Sequence, residues 1–383
     1  MRNVSWSAVP ANCLGLLTVL MIGNTHALDC GTFNFPICSK ALTDPAQFAG
    51  GFDPQVPFGG FGGGEGCKAS ISHTPVILVH GNGDSAIGWD SPAPARAGKP
   101  QRPSVYGELK AHGYNDCEVF GVTYLEPAAQ EYSQTANNFH RPEKYEVIWK
   151  FIQAVKAYTG SAKVDIVGHS LGSSMTLATL DYYTDDKKEQ AWLSVHRFIN
   201  IAGGLHGLNT CLWPAAYLSA PTCQAEHGGN GDQYYEFGFL PDLPPILSNR
   251  WTAVNGDHSL RQAPKRHSDV AFYTISAGQQ DDIHCPLIPV PTVVDCARGP
   301  LFIAASNVRT QIDIGSPPPS MPPSWTQAVD QNYQNLVPRD LGGIGHFGAR
   351  NYAGPIIVQM LTTDCRGAAC KGAYVGTSRL SKP

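Results

Sequence analysis

A sheet covered on both faces is what the apolar runs of this chain most firmly require. Val76-Ile77-Leu78-Val79 is continuously apolar and mostly β-branched, without the alternation of a strand that has one wet face. Helix-like and strand-like stretches then alternate. A helix is expected over 105–112, a strand over 117–122, a helix over 146–158, a strand over 164–167, a helix over 171–183 and a strand over 198–201. Alternation at that spacing predicts a doubly wound, mostly parallel α/β sheet with right-handed connections. The pattern breaks after Gly204: residues 205–265 have no clean period, but hold Trp213, Tyr217, Tyr234, Tyr235, Phe237, Phe239 and Trp251 among prolines and glycines. A stretch of that length suggests a lid or binding insertion. Sheet character returns over 270–275, and a last helix is expected over 354–361. With no repeat and no dividing linker, one domain over 28–383 is expected.

Only 15% of the 383 residues are charged, below the roughly 25% usual in soluble domains, and the formal net charge is −4. No basic field exists to hold phosphates, so nucleic acid is not an expected partner. The 40 glycines and 30 prolines follow no repeat and point to many ordered loops. The run Gly59-Gly60-Phe61-Gly62-Gly63-Gly64 lacks both a preceding strand and a following Gly-Lys-Ser/Thr, so it is expected to be a surface loop and not a phosphate loop.

Residues 1–27 have the order of an export signal: Arg2, an apolar stretch too short to span a bilayer, then Thr25-His26-Ala27 with small residues at −3 and −1. The alternative is a buried N-terminal helix. Cys13 lies in that leader, and ten of the 11 cysteines remain beyond it, an even number that in an exported chain points to disulfides. They fall in local pairs: Cys30 with Cys38, Cys67 with Cys117, Cys211 with Cys223, Cys285 with Cys296, and Cys365 with Cys370. Five short-loop bridges are therefore the simplest connectivity. No C-x-x-C and no H-E-x-x-H occurs, and neither metal nor cofactor is expected. The chain is expected to be a secreted monomer without a transmembrane segment.

Gly168-His169-Ser170-Leu171-Gly172 stands directly after a predicted strand and before a predicted helix. Flanking glycines let the backbone turn sharply enough to hold a serine hydroxyl at the carboxyl edge of a sheet, so Ser170 is the candidate nucleophile; otherwise it caps the helix. Serine needs an imidazole to take its proton, and the imidazole needs a carboxylate to fix its tautomer. On such a scaffold these follow in the order acid, then histidine. Asp281 and Asp282 follow the strand at 270–275, and Asp281 is preferred. His284 belongs to the same stapled loop, whereas His346, in Gly342-Gly343-Ile344-Gly345-His346-Phe347, has a flexible approach and is the candidate base. Donors for an oxyanion are expected from the backbone N–H of Asn82, in His80-Gly81-Asn82-Gly83, and of Leu171, although Asn-Gly also favours a plain turn.

These motifs resemble one family. Thr74-Pro75-Val76-Ile77-Leu78-Val79-His80-Gly81-Asn82-Gly83-Asp84, Gly113-Tyr114-Asn115-Asp116-Cys117, Lys163-Val164-Asp165-Ile166-Val167, Ile201-Ala202-Gly203-Gly204, Tyr273-Thr274-Ile275-Ser276-Ala277-Gly278 and Gly345-His346-Phe347 are similar to the extracellular poly(3-hydroxybutyrate) depolymerases that attack amorphous polymer. The likeness runs from about Cys30 to beyond Cys370. It implies an α/β-hydrolase fold without a separate substrate-binding domain, a metal-independent esterase, and Ser170, Asp281 and His346 as a triad. Gly168 departs from the alanine of that pattern, and Gly-His-Ser-Leu-Gly is equally the form of many lipases. The alternatives are therefore a triacylglycerol lipase or carboxylesterase, or an inactive polyester-binding protein. The expected partner is a polyester or lipid surface, with Trp213, Tyr217, Tyr234 and Tyr235 as adsorption candidates; otherwise these rings form the insertion's own core.

Overall fold

The computed structural model describes residues 46–93, 102–130, 132–212, 214–224, 234–242, 249–285, 295–317, 343–374, 376 and 379–380. The expected leader over 1–27 and Trp213 lie outside them. Nine strands form one sheet: β1 (Ala46–Phe48), β2 (Gly60–Gly62), β3 (Val76–Val79), β4 (Val119–Val122), β5 (Val164–His169), β6 (Val195–Ile201), β7 (Ala271–Ser276), β8 (Val308–Asp313) and β9 (Arg379–Leu380). Their spatial order is β1-β2-β4-β3-β5-β6-β7-β8-β9. From β4 to β8 all neighbours are parallel, and antiparallel pairing enters at β2 with β4 and at β9 with β8.

Side chains of one strand leave on alternate faces, and each face has its own apolar layer. Ile77, Val79 and Ile166 pack with Ile148 and Phe151 of α2 (Pro142–Thr159) and Met175 of α3 (Leu171–Asp181). Val76, Leu78, Val167 and Ile201 pack with Leu109 of α1 (Val105–Ala111) and Ile356 of the helix Gly354–Thr362. This is the α/β-hydrolase fold, with helices on both faces of a mostly parallel sheet.

Two expectations need correction. The glycine-rich run is no surface loop: Gly60–Gly62 is β2, buried throughout. Gly60 has φ +140°, and a Cβ there would lie 2.2 Å from the carbonyl oxygen of Gly121, so glycine is what lets β2 approach β4. Phe61 in turn packs edge-on against Tyr106, with ring centroids 5.6 Å apart. The second correction is β8, which the sequence pattern did not flag.

Among the described residues of the insertion are two short helices, α4 (Pro214–Ser219) and α5 (Ala263–Arg266), together with 3₁₀ turns. The helices α6 (His346–Asn351) and α7 (Gly354–Thr362) follow β8. Of the five expected bridges, four are present: disulfides join Cys67 to Cys117, Cys211 to Cys223, Cys285 to Cys296 and Cys365 to Cys370. The expected fifth, between Cys30 and Cys38, lies outside the described residues. No helix among the described residues is long and apolar enough to cross a membrane.

Candidate active site

Polar side chains gather where the central strands end. β5 finishes at His169, and Ser170 turns the chain into α3 at φ +52° and ψ −126°. A positive φ on a non-glycine residue costs free energy and persists only where its surroundings enforce it. Both neighbouring glycines do so. A Cβ on Gly172 would sit 2.1 Å from the His80 carbonyl oxygen, and one on Gly168 would sit 2.8 Å from Cα of Ser173. The Ser170 amide donates to the Ile201 carbonyl at 2.8 Å, fixing the elbow to β6.

Asp281 follows β7 after a 3₁₀ turn, Gly278–Gln280, in which Gly278 takes φ +55°. Its Oδ1 accepts from the backbone amides of Ile283 and His284, both at 3.1 Å, a local turn of the kind aspartate forms with its own following residues. The Cys285–Cys296 bridge closes the same loop. His346 opens α6, and its Nδ1 lies 3.0 Å from Oδ1 and 2.9 Å from Oδ2 of Asp281, both side chains being buried. Burial alone would raise the Asp281 carboxyl, but the His284 and His346 imidazoles beside it hold it well below the usual carboxylate range. A carboxylate in that place favours the Nδ1–H tautomer of His346, the arrangement a general base working through Nε2 requires.

Two further histidines complete the setting. His284, from the loop of the acid, brings Nδ1 to 2.9 Å from Asp281 Oδ2, but off the hydrogen-bonding direction. His169 donates from Nε2 to the backbone carbonyl of His346 at 3.1 Å, bracing the candidate base from the serine's side. Burial and the neighbouring His346 and Arg350 push the pKa of His169 far down, so it acts as a neutral donor. Asp281, His284 and His346 also place ligand-type atoms within 4.8 Å of one another, the geometry of a candidate cation site. Their mutual contacts satisfy an acid–base pair equally well.

Ser170, His346, Asn82 and Leu171 line one cavity of about 80 Å³, whose apolar wall includes Phe239 and Phe347. Asn82 is held beside Ser170 through its side chain, which donates to the Thr135 carbonyl at 2.9 Å and accepts from Asn138 Nδ2 at 2.8 Å. Two of the aromatic adsorption candidates, Tyr234 and Tyr235, do not line this cavity. Tyr235 is buried against Tyr182 and Trp251, at 4.7 and 5.3 Å between centroids, and so belongs to the insertion's packed core and not to an exposed face. Tyr234 is half-buried beneath the Arg250 guanidinium. Tyr217 lies on α4.

Sequence reasoning missed His169 as a brace, Asn138 as support of the Asn82 loop, and the buried pair of Asp84 with Arg350. His169 stands inside the serine motif, and Arg350 follows His346 by one helical turn. Those spacings were legible, but the partners were not.

Residues 73–250 match the family model described as lipase (class 2). The match covers the Asn82 loop and the serine elbow and stops short of Asp281 and His346. That match spans less than half of the chain, so a lipase of this class is what the chain is similar to. Among solved structures it is similar to lipase B of Aspergillus fumigatus, at 17% identity over 87% of this chain and 59% of that one, with a TM-score of 0.43. It is also similar to lipase BlEst2 of Bacillus licheniformis in its propeptide form, at 16% identity over 54% of this chain and 36% of that one, with a TM-score of 0.33. The chain thus spans less than two thirds of the length of either.

Proposed function

We propose that the chain is a secreted serine esterase that hydrolyses poly(3-hydroxybutyrate) or a similar short-chain polyester through an acyl-enzyme. The observation that carries this reading is the contact of His346 with the Asp281 carboxylate beside the cavity that Ser170 also lines. His346 Nε2 takes the proton of Ser170 as Oγ attacks the ester carbonyl, and Asp281 stabilises the imidazolium that forms. The backbone amides of Asn82 and Leu171 receive the developing oxyanion. Collapse expels the alcohol end of the polymer with the proton from His346; water then attacks the acyl-serine by the reverse sequence and frees the acid. The four disulfides support an oxidising, extracellular setting.

The sequence resemblance supports a polyester. The family match favours the second reading, a triacylglycerol lipase or carboxylesterase on the same residues. An inactive polyester-binding protein has less support, because nucleophile, base, acid and oxyanion positions all carry competent groups. Clearing of amorphous poly(3-hydroxybutyrate) by the mature protein, beside tributyrin and triolein, separates the three. Polymer clearing that disappears in Ser170→Ala is expected; cleavage of glycerides alone would move the assignment to lipase, and no turnover of any ester would leave only the binding protein.

A further inference from the structure

The loop that carries Asn82 and the helix that carries His346 are joined by a buried ion pair. Asp84 stands two residues beyond Asn82, and Arg350 stands one turn beyond His346 on α6, 266 residues away in sequence. Nη1 of Arg350 donates to Oδ2 of Asp84, with the arginine 1% and the aspartate 8% exposed. The other carboxylate oxygen, Oδ1, accepts from the Ser85 amide at 2.8 Å, and Nε of Arg350 donates to Asn351 Oδ1 at 2.9 Å. The 3₁₀ turn Ala86–Asp90 wraps closely over the pair. A Cβ on Gly88 would lie 2.5 Å from Asp84 Oδ1 and 2.9 Å from Arg350 Nη1, and the guanidinium lies 5.8 Å from the centroid of the Trp89 ring.

We infer that the Asp84–Arg350 pair is a positioning device, which locks the backbone amide of Asn82 and the imidazole of His346 into one rigid unit around the Ser170 hydroxyl. This rests on the triad reading above. Three features carry it. Each partner sits within one turn of a residue of the proposed site; the two come from segments that share no helix or strand; and neither charge can separate without leaving the other buried away from its counter-ion, a state costlier than the pair. A planar guanidinium with fixed donors also sets direction as well as distance, which an ammonium group does not. Asp84 also borders the cavity that Ser170 lines, but the pair supplies neither nucleophile, base nor oxyanion donor, so its effect on the chemical step passes through the Asn82 amide and His346.

A structural role alone would lower stability and leave the chemistry of the folded molecule unchanged. The test is the double variant Asp84→Asn/Arg350→Met, which removes both charges together and so avoids the orphaned ion of either single change, with Arg350→Lys beside it. Turnover of soluble p-nitrophenyl butyrate and inhibition by a phenylboronic acid, which adds to the serine hydroxyl as a tetrahedral anion, are read on samples with native circular dichroism. In the folded double variant kcat is expected to fall by roughly 100-fold, as small misplacements of catalytic groups do. KM is expected to stay within about two-fold and boronate affinity to fall in parallel with kcat, since that adduct needs the oxyanion donors and substrate binding does not. Arg350→Lys is expected to lie between. A folded double variant with kcat and boronate affinity within about two-fold of wild type would overturn the inference alone. A wild type that neither turns over the ester nor binds boronate would overturn the triad reading, and the inference with it.

Discussion

The carboxyl edge of the sheet and the aromatic insertion are both rich in buried rings, yet they are held together differently. At the sheet edge the imidazoles are placed by polar contacts: His346 by the Asp281 carboxylate, His169 by the His346 carbonyl, and His80 by the carbonyl of Gly81 at 2.8 Å. In the insertion, rings are placed mainly by one another. Phe237 lies flat between His140, at 3.8 Å, and Trp251, at 4.2 Å, with Tyr235 and Tyr234 closing on the same tryptophan. The first region fixes direction, which proton transfer needs; the second fixes volume. Substitutions at the edge should therefore change chemistry more than stability, and those in the insertion the reverse.

The largest contrast is expected between Ser170→Gly and Trp251→Ala. Ser170→Gly should abolish ester turnover, by roughly 10⁴-fold or more, while raising Tm, because glycine takes φ +52° without strain. A lowered Tm would mean that the elbow is not strained. Trp251→Ala removes a fully buried indole and should cost about 3–5 kcal/mol, read in chemical denaturation, with kcat per folded molecule close to wild type. A loss of kcat at full folding would show that the insertion shapes the site directly.

Smaller effects sharpen the same division. Burial holds the His80 imidazole at about 4, against 6.5 for the free group. As pH falls from 6.5 toward 4 the unfolded chain takes up a proton that the native state refuses, so this part of the stability is complete above pH 6.5 and is lost on acidification. A Tm series across that window should decline with falling pH, and a flat series would contradict the burial of neutral histidines. On the insertion's outer side, Leu218 of α4 is 73% exposed. Leu218→Glu should leave Tm and soluble-ester turnover unchanged and weaken hydrolysis of suspended polymer several-fold, since an exposed apolar side chain serves contact with an apolar surface. Equal rates on polymer would remove α4 from the adsorbing face.

What the sequence made legible follows the same line. Apolar runs such as Val76–Val79 can be satisfied in few ways, so the parallel strands and the elbow at Ser170 were visible locally. Asp281 could be placed because its strand announces itself just before. The strand β2 was hidden because its glycines are there for close approach to β4, Gly60 to Gly121 and Gly62 to the Phe120 ring, a reason that lies about 60 residues downstream. Tyr235 was misplaced for a similar cause: whether a tyrosine is exposed or packed depends on Tyr182 and Trp251, which local pattern does not reveal. Arg350 follows His346 at a helical spacing, but nothing nearby announces that its partner is Asp84.

The most direct test of the central claim is to treat the folded protein with a fluorophosphonate and to map the adduct by mass spectrometry. One adduct on the peptide bearing Ser170 is predicted, formed at a rate that collapses in His346→Gln and falls strongly in Asp281→Asn. No adduct in the folded wild type, or one on a different residue, would contradict the assignment of Ser170, His346 and Asp281 as the machinery of ester hydrolysis.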